Sequence, residues 1–271
     1  PMGLGERMKI YETNSLNVVK ILPTQSFIVR LDGRSFSKFT SGLKKPFDEK
    51  FTQAMVLTTK DLLNEFSAIT GYTHSDEITI IFQKMLSEEE EAALKKENKE
   101  VPVHVFDGRV VKILTTMSAY CSVRFNFHLV NIIKEDNGKY FNYKEGFLAK
   151  LNAFQAVFDA RLVLFPKEKE NEEIINHMIW RSMYDCERNA VSTYARSYFS
   201  QKELHGKKKG EMIQMMEKEK GFKWETDAPL FWRHGVYLKK QMYDVEVTNN
   251  NPHVNGVLIC KRRKVVAKCF K

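Results

Sequence analysis

The sequence predicts a mixed α/β fold, and three observations predict it. Strand, helix and strand follow one another within the first 82 residues, a helical stretch follows residue 110, and strand candidates return near the end. Residues 26–31 are rich in Phe, Ile and Val and stop at Asp32-Gly33, which marks a buried strand. From Asp48 the period changes: Phe51, Met55, Leu62, Leu63 and Phe66 recur at helical spacing, and Asp48 after Pro46 suits the helix start. Gly71 breaks the pattern, and residues 77–82 resume an apolar strand. Residues 86–101 run from Glu88-Glu89-Glu90-Glu91 to Lys95-Lys96, acid before base as in a solvated, exposed helix. Residues 110–133 have helical length and 160–165 read as a strand stopped by Pro166. Residues 172–199 carry Ile175, Ile179, Met183, Cys186, Ala190 and Thr193 at threes and fours as one helix. Residues 202–220 are lysine-rich, 236–240 and 257–266 are late strand candidates, and no internal repeat is present.

At 271 residues and 43% apolar content the chain can bury a substantial core. The expected organisation is a catalytic core over 1–140, with 141–271 completing the fold and adding a helical, basic part, together one continuous domain. Lys and Arg number 43 against 34 acidic residues, a net charge of +9 that attracts polyanions, nucleic acid first, unless the excess only aids solubility. Cys121, Cys186, Cys260 and Cys269 show no CxxC spacing, so neither zinc nor a disulfide framework is suggested and a reducing compartment is expected. No run approaches the roughly 20 apolar residues that span a bilayer, and Pro1-Met2-Gly3-Leu4-Gly5 lacks secretory features. A cytoplasmic or mitochondrial protein, not secreted and without a membrane partner, is expected.

Two apolar strands each deliver acid: Asp32 in Arg30-Leu31-Asp32-Gly33-Arg34, and Asp76 and Glu77 in Ser75-Asp76-Glu77-Ile78. Carboxylates are hard oxygen ligands suited to Mg²⁺, which keeps several waters and completes its shell from phosphates. Adjoining strands would set Asp32 and Asp76 side by side, the Gly33 carbonyl could add a ligand, and a glycine there frees the backbone. Taken singly, a Leu-Asp-Gly-Arg turn and a Ser-Asp-Glu cap read as well.

In order and spacing, Arg30 to Thr40, Lys45-Pro46-Phe47-Asp48 and Tyr72-Thr73-His74-Ser75-Asp76-Glu77 resemble the tRNA-His guanylyltransferase superfamily. Phe158-Asp159-Ala160-Arg161, Trp180-Arg181 and Asp185-Cys186 extend the resemblance, which covers about residues 8 to 245. It implies a polymerase-palm-like, ferredoxin-type βαββαβ core with additional helices that extends RNA at the 5′ end, in the 3′-to-5′ direction. It further implies that Asp32, the Gly33 carbonyl and Asp76 hold two Mg²⁺, with Glu77 supporting. Arg34, Ser35, Phe36, Ser37 and Ser75 join Asp32, Gly33 and Asp76 around ATP, GTP or another nucleoside triphosphate, and Lys45 serves the activation step. The implied assembly is a homotetramer acting on tRNA.

One departure concerns the subfamily. Enzymes that add the extra guanylate carry His-Ile-Asn-Asn-Leu-Tyr-Asn after the Asp-Cys pair, whereas this chain has Glu187-Arg188-Asn189-Ala190-Val191-Ser192-Thr193, similar to the Thg1-like branch, which prefers template-directed 5′ addition and tRNA repair. Arg188, Asn189, Ser192 and Arg196 lie on or near one helical face and could meet RNA phosphates, as could Lys207-Lys208-Lys209 and Lys261-Arg262-Arg263-Lys264. His74 reads as a satisfied structural histidine, and Trp180, Trp224 and Trp232 as core before base-stacking. A dedicated guanylate-adding enzyme, a nucleotidyl cyclase on the same palm and a non-catalytic RNA-binding palm are the rival readings.

Overall fold

The computed structural model describes residues 19–135, 143–248 and 257–268. Its centre is β1 (Phe27–Gly33), β2 (Thr70–His74), β3 (Glu77–Phe82) and β4 (Phe158–Val163), to which β5 (Val236–Thr248) and β6 (Val257–Lys268) are added in the order β4-β1-β3-β2-β5-β6. Neighbouring strands are antiparallel throughout. Between β1 and β2 run α1 (Phe36–Phe39) and α2 (Glu49–Glu65). Between β3 and β4 come α3 (Glu88–Lys96), α4 (Val110–Lys134) and α5 (Glu145–Asn152). The first four strands with their crossovers are a ferredoxin-type βαββαβ unit, as expected, and the β5–β6 hairpin widens its sheet.

Alternation along β1 explains both faces. Phe27, Val29 and Leu31 point to one side, where Phe51, Met55, Leu62 and Leu63 of α2 and Ile113, Met117, Cys121, Phe125, Leu129 and Ile133 of α4 close the main core. Asp48 starts α2 by accepting from the Lys50 and Phe51 N–H groups at 2.9 and 3.2 Å, the cap its sequence position suggested. Ile28 points the other way and packs with Tyr72 against Ile174 and Met178 of α6 (Glu170–Ile179). Arg30 and Asp32, at the same parity as Ile28, lie on that second face.

The single helix expected over 172–199 is instead α6, a wider π turn over Trp180–Asp185 and α7 (Cys186–Tyr198). The wide turn buries Arg181, Ser182, Asp185 and Cys186 together, which an unbroken α-helix would splay over more of its circumference. The exposed α3 carries the capping box of Ser87 and Glu90. After α8 (Gln201–Leu204), α9 (Lys209–Lys220), α10 (Trp224–Asp227) and α11 (Leu230–Arg233) wrap α7. Val191, Tyr194 and Ala195 there share a core with Met216, Trp224, Trp232 and Phe47. Phe47 thereby ties the loop before α2 to α7, and the space left between them is the cavity described next.

Candidate nucleotide and metal site

The antiparallel β1–β3 register sets Asp32 opposite Glu77, and one step further the Gly33 N–H donates to the Asp76 carbonyl at 3.0 Å. Residues 44 apart in sequence therefore meet at the ends of two adjacent inner strands. Asp76 sits in the β2–β3 turn behind Ser75, whose φ of 52° turns the chain sharply. Burial, and then the neighbouring Asp32 charge, hold the Asp76 carboxyl above its ordinary range, against its own N–H, the Ser75 hydroxyl and Arg30. Two carboxylates in each other's field are relieved by a cation. Among the described residues no cluster of three or more His, Cys, Asp or Glu gathers, which leaves two aspartates and a backbone carbonyl. That donor set fits Mg²⁺, which is held by one or two carboxylates while water and phosphate supply the rest.

Glu77 is in a different position. Arg30 and Arg181 both bond its carboxylate, Arg181 also bonds Asp185, and Asp185 takes Arg188 Nη2 at 2.5 Å. Arg30 Nη2 and Arg161 Nη2 stand 3.8 and 3.6 Å from Asp32 Oδ2, and Arg161 Nε donates to Asp159 at 3.3 Å. Glu77 is thus the counter-ion of two arginines beside the aspartates, a supporting position. Arg30 was legible two residues before Asp32, where strand alternation puts both on one face. Nothing local to Arg181 announces its reach to Glu77.

A cavity of about 520 Å³ opens between α1, the 43–48 loop, the Ser75–Asp76 turn and α7. Phe36, Phe47 and Phe51 line it together with Ser37, Lys44, Lys45, Asp48, Ser75, Asp76, Thr193, Arg196 and Ser197. Of the residues read from sequence it gathers Phe36, Ser37, Lys45, Ser75, Asp76 and Arg196. Asp32, Gly33, Arg34 and Ser35 lie outside its lining. The Arg34 N–H donates to the Val157 carbonyl at 2.8 Å, and Ser35 has a left-handed φ of 57° at the start of α1. The ring of Phe36 is core, packed against Phe39, Phe51, Phe125 and Phe158. Gly33 is explained differently from expectation. A Cβ there would lie 2.4 Å from that ring, so the glycine makes room for Phe36 and its backbone is not left-handed.

Arg188 and Asn189 are exposed and Ser192 half-buried, but none of them lines the cavity; of that helical face only Arg196 does. Lys207, Lys208 and Lys209 are exposed around the start of α9. Lys207 approaches Glu211 at 3.7 Å, the Lys208 N–H donates to Glu211 at 2.8 Å, and Lys209 reaches Glu187 at 2.6 Å. Lys264 lies in β6, and the side chains of Lys261, Arg262 and Arg263 fall outside those described. His74 is buried with Nε2 2.8 Å from the Trp232 carbonyl, and burial lowers its pKa to about 4, so it is neutral and structural. Trp224 and Trp232 are core, whereas Trp180 is 48% exposed, contrary to expectation.

A ferredoxin-type sheet with paired aspartates at the ends of its inner strands and a basic cavity beside them defines a palm-type nucleotidyltransferase. The profile of the Thg1 family, described as tRNAHis guanylyltransferase, matches residues 5–166, and the chain belongs to that family. It is 40% identical to uncharacterised protein R259 of Acanthamoeba polyphaga mimivirus, over 92% of this chain and 80% of that protein. It is 24% identical to the tRNA(His) guanylyltransferase of Debaryomyces hansenii, over 83% of this chain and 78% of the relative. Among solved structures, a bacterial Thg1-like protein in complex with ATP superposes with a TM-score of 0.67 at 27% identity, covering 88% of this chain and 87% of that one. The Saccharomyces cerevisiae tRNA(His) guanylyltransferase shares the fold, with a TM-score of 0.62 at 20% identity over 84% and 91%.

Proposed function

We propose that the chain is a Mg²⁺-dependent nucleotidyltransferase that extends tRNA at its 5′ end, in the 3′-to-5′ direction and under the control of a template base. The observation that carries the reading is the Asp32–Asp76 pair beside a cavity rimmed by Lys44, Lys45 and Arg196. Two aspartates leave negative charge for a cation, and three basic side chains nearby leave positive charge for a triphosphate. When bound between Asp32, Asp76 and the Gly33 carbonyl, two Mg²⁺ would stabilise the attacking and leaving oxygens of phosphoryl transfer. Lys45 and Lys44 neutralise phosphate as compact ammonium charges, Arg196 presents a planar fork, and the Ser37 and Ser75 hydroxyls donate to phosphate oxygens. Glu77 takes no part in that exchange; it keeps Arg30 and Arg181 in place. ATP and GTP are the expected substrates for activation and addition, and the solved relative that binds ATP supports the first.

The direct test supplies 5′-truncated, 5′-triphosphorylated tRNA with nucleoside triphosphates and Mg²⁺. Growth of the 5′ end by the nucleotide complementary to the opposing base is expected, and its absence refutes the proposal. The second reading, fixed guanylate addition, is favoured by the names of the curated relatives. Against it stands Glu187, where guanylate-adding enzymes carry histidine. Its carboxylate accepts from Lys209 Nζ at 2.6 Å and Trp224 Nε1 at 3.4 Å, a bond pattern that holds α7 to α9 and α10. Varying the template base decides between the two, since a fixed enzyme adds G whatever lies opposite. Cyclic product from ATP or GTP alone would instead mark a cyclase, and RNA binding without incorporation a non-catalytic palm.

A further inference from the structure

Lys44, Lys45 and Arg196 line the same cavity and are exposed, and among the described residues no carboxylate pairs with any of them. Like charges around one cavity repel, so the backbone that carries them has to be fastened from behind. One fastening is at the far end of the 43–48 loop, where the Lys44 N–H donates to Asp48 Oδ2 at 3.1 Å and Asp48 caps α2. The other is the ring of Phe47. It is buried in the core around α7, and every other buried residue of that core comes from 190–232.

The ring sits in a box whose walls are the backs of the cavity's own segments. His74, with ring centroids 5.9 Å apart, immediately precedes Ser75 and Asp76. Tyr194, at 5.8 Å, lies between Thr193 and Arg196 on α7. Trp232 stacks on Phe47 at 5.4 Å with the planes 25° apart. Each of the three cavity segments thus turns a ring into the box and polar groups into the cavity, so the fit of the rings sets the spacing of the charges. Hydrogen bonds stiffen the box. The Trp232 carbonyl accepts from His74 Nε2 at 2.8 Å, and Trp232 Nε1 donates to Thr52 Oγ1 at 3.2 Å. The next two carbonyls, of Arg233 and His234, accept from Cys186 Sγ and Tyr72 Oη, both at 3.0 Å. Burial alone would be served by any apolar side chain at 47; a fixed spacing calls for a flat ring packed among other rings.

We propose that Phe47 is a positioning residue for the nucleoside triphosphate: seated among His74, Tyr194 and Trp232, it holds Lys44 and Lys45 on the cavity they share with Asp76, and it acts on the ligand only through those lysines. The proposal rests on the reading of the cavity as the triphosphate site. Calorimetric titration of the full chain with ATP and Mg²⁺ tests it. Phe47→Leu keeps an apolar side chain without the flat ring, and Phe47→Ala empties the box; ATP should bind roughly threefold and at least about tenfold more weakly. The KM for ATP should rise in step while kcat moves little, the mark of a lost binding contact. Met216→Ala truncates a buried residue of the same core that does not line the cavity, and should lower the denaturation midpoint with ATP affinity unchanged. Lys44→Ala with Lys45→Ala should weaken binding by itself. Adding Phe47→Ala to that pair should change the affinity less than about twofold, because the ring then has nothing to position. Should Phe47→Ala fail to fold, Phe47→Leu carries the same comparison. Wild-type affinity in the Phe47 variants, an equal loss in Met216→Ala, or additive losses in the triple variant would overturn the proposal and leave the cavity's reading standing. A wild-type chain that binds no ATP overturns both.

Discussion

Asp76 and Glu77 are consecutive, yet their two surroundings are opposites. Asp76 faces the cavity with another carboxylate, Asp32, in its field, and its pKa is raised. Glu77 faces the helix side, where Arg30 and Arg181 both bond it and Arg181 also bonds the buried Asp185. One region has its charge only loosely matched, by arginines 3.6 and 3.8 Å from Asp32; the other matches it closely within the protein. The difference teaches how charge is shared out at the strand ends: Arg30 and Arg161 reach Asp32 only at 3.8 and 3.6 Å, while their closer bonds go to Glu77 and Asp159.

The largest effect expected is on the loosely matched side. Asp32→Asn and Asp76→Asn should each bring 5′ nucleotide addition below detection. A carboxyl whose folded pKa is raised binds its proton more readily folded than unfolded, so stability falls as pH rises through the carboxylate range and the charge destabilises at neutral pH. Asp76→Asn should therefore raise Tm while removing activity. Mg²⁺ should raise the Tm of the wild-type chain, by linkage, and leave that of the variant unmoved. A variant that loses both activity and stability would mean that Asp76 is part of the frame.

On the matched side the signs reverse. Arg181→Leu strips two buried or half-buried carboxylates of their shared cation, and breaking such pairs costs about 3–5 kcal/mol. Chemical denaturation should show that loss, and an unchanged midpoint would mean that Arg30 and Arg188 suffice. A smaller effect reports on the same region through pH. His74 is neutral and buried, with a pKa near 4. Because the unfolded chain takes the proton first, stability should fall as pH drops from about 6.5 toward 4, by on the order of 3 kcal/mol. His74→Gln should flatten that slope in denaturation measured across the range; an identical slope would place the acid sensitivity elsewhere.

Much of this was legible in the chain. Periodicity gave the strands and helices of the βαββαβ unit, because alternation and helical spacing are local and the Asp48 cap is local too. The aspartate pair was legible only as two acidic strand ends; their meeting depends on the β1–β3 register, which no window of sequence contains. What stayed hidden is what depends on distant partners. The π turn at Trp180–Asp185 looks like unbroken helix, since its cause is the need to bury Arg181 and Asp185 together against Glu77. Trp180 looked like core by residue type, although its side of the helix is bare. The lysines at 207 and 209 read as free charge, and Glu211 and Glu187 take part of it.

Gly33 gives the finest test, because it joins the two regions. Its sequence position beside Asp32 suggested room for a ligand, and its surroundings show room for Phe36 instead. Phe36 is held among Phe39, Phe51, Phe125 and Phe158, so the ring cannot swing away from an added methyl group. Gly33→Ala should cost about 1–3 kcal/mol as an overpacking change. Pushing Phe36 also moves the start of α1 and Ser37 with it, so the KM for the nucleoside triphosphate should rise alongside. Gly33→Ala combined with Phe36→Leu removes the aromatic ring that the methyl meets, and should recover part of the stability. If the double variant is no more stable than Gly33→Ala alone, the glycine is required by something other than Phe36, and the cavity-side reading of Gly33 returns.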